Sequence, residues 1–258
     1  MSSKAFTRLR QVCLATLDIK KHQNAFQRIF EIEPCHESWL EEFGLENALF
    51  PVGGTFIELV APIQENTAVH RFLARSKGTG GYMAIFDCDD LNRKRSIAEK
   101  LSIPLVYSKE ADGASLIQLS PRATGLTLLE FDQHKNGEDR FGSYEWAGPG
   151  WQERVNQELV EDVLGFEFHC ADPLSKASSW SELFETPIVF EENENAALKL
   201  EYGELRFRPN DTDHLECFSA IEIKTPKKEE ILARAKTEGY PVSEDRFQFC
   251  GIDLKFVG

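Results

Sequence analysis

The chain of 258 residues is short of several things, and each shortage removes a class of protein. No apolar run approaches the roughly 18 residues of a membrane span, so no membrane partner is expected. The opening MSSKAFTRLR lacks the apolar stretch of a secretory leader, which predicts a cytoplasmic protein. Basic residues number 29 against 43 acidic ones, a net charge of -14 that repels phosphate backbones, and nucleic acid is not expected as a partner. The six cysteines (13, 35, 88, 170, 217 and 250) form no CxxC pair and have no zinc-finger histidines beside them. Cys13, Cys88 and Cys170 sit in apolar strand patterns and read as reduced, buried thiols. There is no P-loop, nucleophile elbow, GxGxxG or HExxH. Kinase, serine hydrolase, dinucleotide and zincin readings therefore have no local support.

What is present is a repeat. Four amphipathic helix patterns each follow an apolar strand. The first takes Asp18 as its N-cap, the second Asp89 or Asp90, and the third Asp172 with Pro173 at the first helical position. The fourth is expected to be capped by Thr225, with Pro226 at the first position and Gly239 as its stop. Adding 154 carries Asp18, Phe26, Phe30 and Glu31 onto Asp172, Trp180, Phe184 and Glu185. Adding 137 carries Met83, Ala98 and Pro104 onto Ala220, Ala235 and Pro241. Short strands follow each helix, separated by turn signals at Gly53-Gly54, Thr124-Gly125, Gly203 and Gly251.

The pattern predicts an α+β protein of four βαβββ modules, at 6–62, 79–133, 160–210 and 215–258. Paired in order, they give an N-terminal domain over 6–133 and a C-terminal domain over 151–258. The polar, Gly/Pro-containing stretch 134–150 is expected to be an ordered connector, because Trp146 and Trp151 in and beside it call for packing.

Glu58 in FIELV and Glu130 in LLEF are the leading chemical candidates. Strand alternation puts each carboxylate on the face opposite its apolar neighbours. A buried pair would hold one proton more tightly than free carboxylates do and could act as acid and base; the alternative is that one or both face solvent. Tyr82 and Met83, after the GTGG run, could wall a ligand pocket or simply pack in the core. Arg122 at a strand-to-turn junction could grip an anion or be an ordinary surface arginine. His169, two residues from Glu167, reads as a hydrogen-bonded structural histidine. Trp39 and Phe43 could close a rim.

The stretch FGLENALFPVGGTFIELVAP, the later GTGGYMAIFDCDDL and the ending PRATGLTLLEF resemble the vicinal oxygen chelate superfamily, the group of glyoxalases, bleomycin-resistance proteins and methylmalonyl epimerases. The resemblance implies two tandem domains whose curved, mixed sheets form cups. It also implies a metal-binding position at each of Gln11, Glu58, Met83 and Glu130. Metal-using members carry His where this chain has Gln11 and Met83, and a Gln amide and a thioether are poor replacements for imidazole. A divalent ion on Gln11, Glu58 and Glu130 is the candidate cofactor that remains. In the second half Lys255 takes the place of Glu130, and either Arg206 or Arg208 that of Glu58. The function implied is an isomerase or lyase acting on a small organic acid or carbonyl compound, with Glu58 and Glu130 catalytic and Gln11, Tyr82, Met83 and Arg122 binding substrate. The alternative is a non-catalytic protein that sequesters a small molecule. Monomer and homodimer are both compatible with two fused cups.

Overall fold

A computed structural model describes residues 5–210 and 216–258; Leu215, where the fourth module is expected to begin, lies outside them. The first half runs β1 (Thr7–Thr16), α1 (Ile19–Phe30), β2 (His36–Leu40), β3 (Leu45–Val52), β4 (Thr55–Pro62), α2 (Ala68–Arg75), β5 (Thr79–Cys88), α3 (Leu91–Lys100), β6 (Leu105–Ala111), β7 (Ala114–Leu119), α4 (Pro121–Thr124) and β8 (Leu128–His134). After two short 3-10 turns come β9 (Asp162–Cys170), α5 (Pro173–Phe184), β10 (Ile188–Phe190), β11 (Ala196–Lys199), β12 (Glu204–Pro209), β13 (Cys217–Lys224), α6 (Lys228–Thr237), β14 (Arg246–Phe249) and β15 (Ile252–Val257). The protein is α+β, with two curled, mixed sheets of eight and seven strands. Among the described residues no helix is long and apolar enough to cross a membrane.

The first three modules have the expected strand, helix and three strands. The fourth is one strand short. After α6 only Val242 pairs with Phe247, as an isolated bridge, before β14 begins. Three of the four caps are as read from the sequence: Asp18, Asp90 and Asp172 accept from the backbone N–H of Lys21, Arg93 and Ser175 at 3.0, 3.0 and 2.9 Å. The fourth differs. The N–H of Thr225 still donates to Val257 in the sheet; its hydroxyl donates to the Leu159 carbonyl and accepts the Lys227 N–H at 2.9 Å, and the helix opens at Lys228, two residues past the expected Pro226. Gly239, at φ +88°, does follow its end.

The chain forms two compact units. One holds Gln11–Tyr82, Trp146–Val163 and Ala220–Gly258, and contains Glu58. The other holds the described residues among 5–10, 83–145, 164–210 and 216–219, and contains Glu130. The division of the sequence into domains at 6–133 and 151–258 remains our proposal.

In the Glu58 unit the strand order β2-β3-β4-β1 is antiparallel as far as β4, which pairs with β1 in parallel. The apolar stripe of α1 covers this layer: the Phe26 ring lies 4.5 Å from those of Phe30 and Phe50. Trp151, from the connector side, is buried with its ring 4.8 Å from that of Phe56. In the Glu130 unit β5-β8-β7-β6 carries α3, and β10-β11-β12-β9 carries α5. Phe184 of α5 meets Phe86 and Phe131 at 4.7 and 5.2 Å. The indole of Trp180 donates to the Thr124 carbonyl at 3.0 Å.

Candidate functional site

Alternation along TFIELVAP places Glu58 on the face opposite Ile57 and Leu59. Register then sets it beside Cys13 of β1 and Leu49 of β3. The carboxylate is 7% exposed. Gln11 donates its Nε2–H to Oε2 at 2.9 Å, and Asn47 its Nδ2–H to Oε1 at 2.7 Å. The Cys13 thiol donates as well. Among the described residues no lysine or arginine pairs with Glu58. Burial therefore pushes its pKa above the ordinary carboxylate value, and the donors from Asn47, Cys13 and Gln11 pull it only part of the way back. Asn47 is itself fixed, because its Oδ1 accepts both the backbone N–H (3.0 Å) and the hydroxyl (2.8 Å) of Ser38. A cleft of about 440 Å³ runs beside this network, lined by Ile19, Gln23, Glu37, Ser38, Trp39 and Asn47. Trp39 stands on its rim, 72% exposed.

In the other unit Glu130 is also buried and accepts from Gln118 Nε2 at 2.7 Å. Ile85 is its register partner on β5, and Met83, two residues earlier on the same face, is buried. Tyr82, in the Glu58 unit, is half-buried, with its ring 5.2 Å from Phe72. Arg122 is exposed on the single turn of α4, with no ion pair among the described residues. The structure thus joins Gln11 directly to Glu58. Substrate roles for Tyr82, Met83 and Arg122 remain proposals. His169 lies 3.3 Å from Glu167, as a structural histidine would.

A second polar cluster, not among the residues expected from the sequence, lies in the Glu130 unit. Asp132 and His134 follow Glu130 at strand spacing, and Asp87 is the register partner of Asp132. Ligand atoms of the three lie within 4.8 Å of one another, all buried, which is a spacing that could hold a metal ion. The surroundings fit a cation badly. Arg8 and Arg10, both buried, reach Asp87 at 3.3 and 3.2 Å, so that carboxylate already faces two positive charges. His134 Nδ1 accepts the Glu145 N–H at 3.3 Å, which leaves the proton of the neutral ring on Nε2, the nitrogen facing Asp87 and Asp132. A metal-ligating histidine needs the opposite tautomer. Burial also lowers the His134 pKa to about 4, so the ring is neutral at pH 7. The cluster is a charge-compensated network. Arg8 donates to the carbonyls of Gly137 and Glu138 and Arg10 to that of Arg140, while Tyr144 lies against Arg10, 4.4 Å from ring to guanidinium.

At Glu58 the groups present fit a divalent ion no better as arranged. Hydrogens from Gln11, Asn47 and Cys13 point at the carboxylate where a cation would sit, and Asn47 is pinned in that sense. The second sheet has exchanged its ligands altogether. The pair Cys13–Glu58 corresponds to Glu167–Arg206, and Ile85–Glu130 to Glu222–Lys255, so Arg206 rather than Arg208 takes the place of Glu58. Gly165 and Ala220 stand for Gln11 and Met83.

No protein-family profile matches the sequence. The chain is 27% identical over 139 residues to the uncharacterized protein YqjC of Bacillus subtilis, a match covering 51% of this chain and 99% of that one. It is 25% identical over 135 residues to human mitochondrial methylmalonyl-CoA epimerase, covering 49% and 73%. Among solved structures, a hypothetical protein from Staphylococcus aureus superposes with a TM-score of 0.70 at 11% identity, over 97% of this chain and 98% of that one. The Mn(II)-bound glyoxalase from Novosphingobium aromaticivorans gives 0.68 at 10% identity, over 98% and 82%. The two structural likenesses run nearly end to end, the two sequence matches over about half of the chain, and they agree with the strand registers and the repeat: the chain has the fold of the vicinal oxygen chelate superfamily, the fold of glyoxalases and methylmalonyl-CoA epimerases.

Proposed function

We propose that the protein is an isomerase or lyase of the glyoxalase and epimerase type, moving a proton on a carbon next to the carbonyl of a small organic acid, ketone or acyl thioester. The observation that carries this is the state of Glu58, a buried carboxylate without a cationic partner among the described residues, held by three neutral donors and shifted toward the protonated form. Such a group can take a proton from carbon and return it, which is the chemistry of an enolising base and its conjugate acid. Gln11 orients the carboxylate, and Glu130, buried and held by Gln118, is the second acid/base candidate. The name of the human relative supplies the thioester as one substrate class to test.

The experiment is hydrogen–deuterium exchange in D2O, followed by proton NMR, over a panel of 2-substituted organic acids, 2-oxo acids and acyl-CoA thioesters. Exchange at the carbon next to the carbonyl, lost at least ~100-fold in Glu58→Gln, is the expected result. A ligand that raises the melting temperature without ever exchanging would sink the proposal and point to sequestration. Glu130→Gln, measured alongside, tests whether the second carboxylate takes part.

A further inference from the structure

We infer that the cleft on the α1 side of the Glu58 unit is a second binding site, which takes a small organic ammonium ion between the Trp39 indole and the carboxylates of Glu46 and Glu37. This does not depend on the reaction proposed for Glu58.

The two sites use opposite faces of the same strands. Asn47 bonds both Ser38 and Glu58, and Leu49 is the register partner of Glu58, so these four share one face. Trp39 is two residues from Glu37 and is the register partner of Glu46, which puts all three on the other. That face is the one α1 covers, because Lys20 and Gln23 of α1 both donate to Glu37 Oε1, at 3.2 and 2.9 Å. The cleft of about 440 Å³ lies here, bordered also by Ser38 and Asn47, the sequence neighbours of Glu37, Trp39 and Glu46. It is large enough for a small ligand, whose pockets run from about 300 to 1,000 Å³.

Charge sets the class of that ligand. The cleft is lined by two carboxylates and one ammonium, a net charge of -1. Lys20 is already engaged, since its Nζ reaches Gln23 Oε1 at 3.1 Å as well as Glu37. Both donors to Glu37 take the same oxygen, which leaves Oε2 to accept from a ligand. Gln23 is buried with its amide spent on Lys20 and Glu37, and so holds that carboxylate in place. Its hydrogen bond, aided by Lys20, keeps the Glu37 pKa below the ordinary value and the group anionic at pH 7. Among the described residues no cation pairs with Glu46. The positive end of α1 is offset by Asp18, which caps it. Beside these carboxylates the Trp39 indole stands 72% exposed. An anion entering the cleft would be repelled, and a neutral apolar molecule would cover two carboxylates without pairing them. An ammonium ion meets both needs, lying against an aromatic face while its charge is balanced by Glu46 and Glu37. The net charge of -14 draws cations toward the protein as a whole.

The test follows the Trp39 indole N–H by two-dimensional proton–nitrogen NMR on the whole protein, the signal being identified by its loss in Trp39→Phe. The probes are n-butylammonium and tetramethylammonium chloride, with sodium chloride and sodium acetate as controls. Either ammonium ion should give a saturating shift with a Kd of roughly 1–10 mM, as one cation–π contact and two part-exposed ion pairs allow. Glu46→Gln, which keeps both the shape and the reporter, should weaken binding about fivefold. Lys20→Met should tighten it, because the competing cation is gone; a site for anions would respond with the opposite sign. Both changes fall at positions open to solvent, so the fold is not at stake. A shift that never saturates, one that sodium chloride reproduces, saturation by acetate, or an affinity unchanged in Glu46→Gln would each overturn the assignment.

Discussion

Asp87→Ala tests whether the buried cluster of the Glu130 unit is an ion network that the fold depends on. Asp87 Oδ2 faces both the Arg8 and the Arg10 guanidiniums, at 3.3 and 3.2 Å, and all three side chains are 4% exposed or less. Removing one member of a buried pair costs about 3–5 kcal/mol, mostly from the charge left behind. Here two charges are left, but the carbonyls of Gly137, Glu138 and Arg140 continue to accept from them, which argues for the lower end, about 3 kcal/mol. A domain of ordinary stability has about 5–15 kcal/mol to lose. With a urea slope of about 1–3 kcal/mol per molar, the midpoint should fall by roughly 1–3 M. Trp180 lies in this unit, whereas Trp39, Trp146 and Trp151 lie in the other, so its fluorescence in a variant with the other three changed to Phe follows the right transition. Asp87→Asn keeps the shape and removes the charge, and it should lose nearly as much. A loss below about 1 kcal/mol in both variants would show that the arginines do not need Asp87, and the reasoning from ion compensation would fail.

Three other outcomes are expected. Millimolar Mn2+ or Mg2+ should leave the melting temperature unchanged, since the Asp87, Asp132 and His134 group is already compensated and carries the wrong histidine tautomer; a rise of several degrees would identify a metal site after all. Glu58→Gln should stabilise the protein at neutral pH. A carboxyl with a raised folded pKa contributes stability that is complete below its unfolded value and lost as pH climbs through the folded one, so the advantage of Gln should appear above about pH 4.5 and level off once Glu58 is ionised, as read from melting temperature against pH. Gly203→Ala should cost about 2–4 kcal/mol in chemical denaturation, because φ is +84° there and an added Cβ would overlap the Leu9 side chain; a neutral result would mean that this turn can shift at little cost.

Much of the fold was legible because its signals are local. Asp18, Asp90 and Asp172 announce helix starts by a side-chain bond three residues long, and the alternation around Glu58 and Glu130 fixes which way they point. Thr225-Pro226 misled because the same residues also serve a long-range role: the threonine ends a strand by bonding Val257 and Leu159, a commitment invisible in a window of ten residues. Asn47 was missed for a similar reason. In LENALF it reads as an indifferent strand residue, and its importance depends on Ser38 nine positions back and Glu58 eleven ahead. The ion cluster did leave a trace, since Glu130, Asp132 and His134 share one strand face, as do Arg8 and Arg10. What the spacing could not say is that the two sets compensate one another around Asp87.

Glu31 and Glu185, 154 residues apart, both end a helix in left-handed backbone, at φ 55° and 56°, where glycine is the usual occupant. Each glutamate reaches an arginine on the neighbouring helix of its unit, Arg234 on α6 and Arg93 on α3. The duplicated chain thus keeps a backbone strain twice, and with it the same Glu–Arg latch, between α1 and α6 in one unit and between α5 and α3 in the other. Because one kind of helix carries the anion and the other the cation, two helices of the same kind would set like charge against like at this point, so the latch enforces complementary pairing and does so identically in both copies of the repeat.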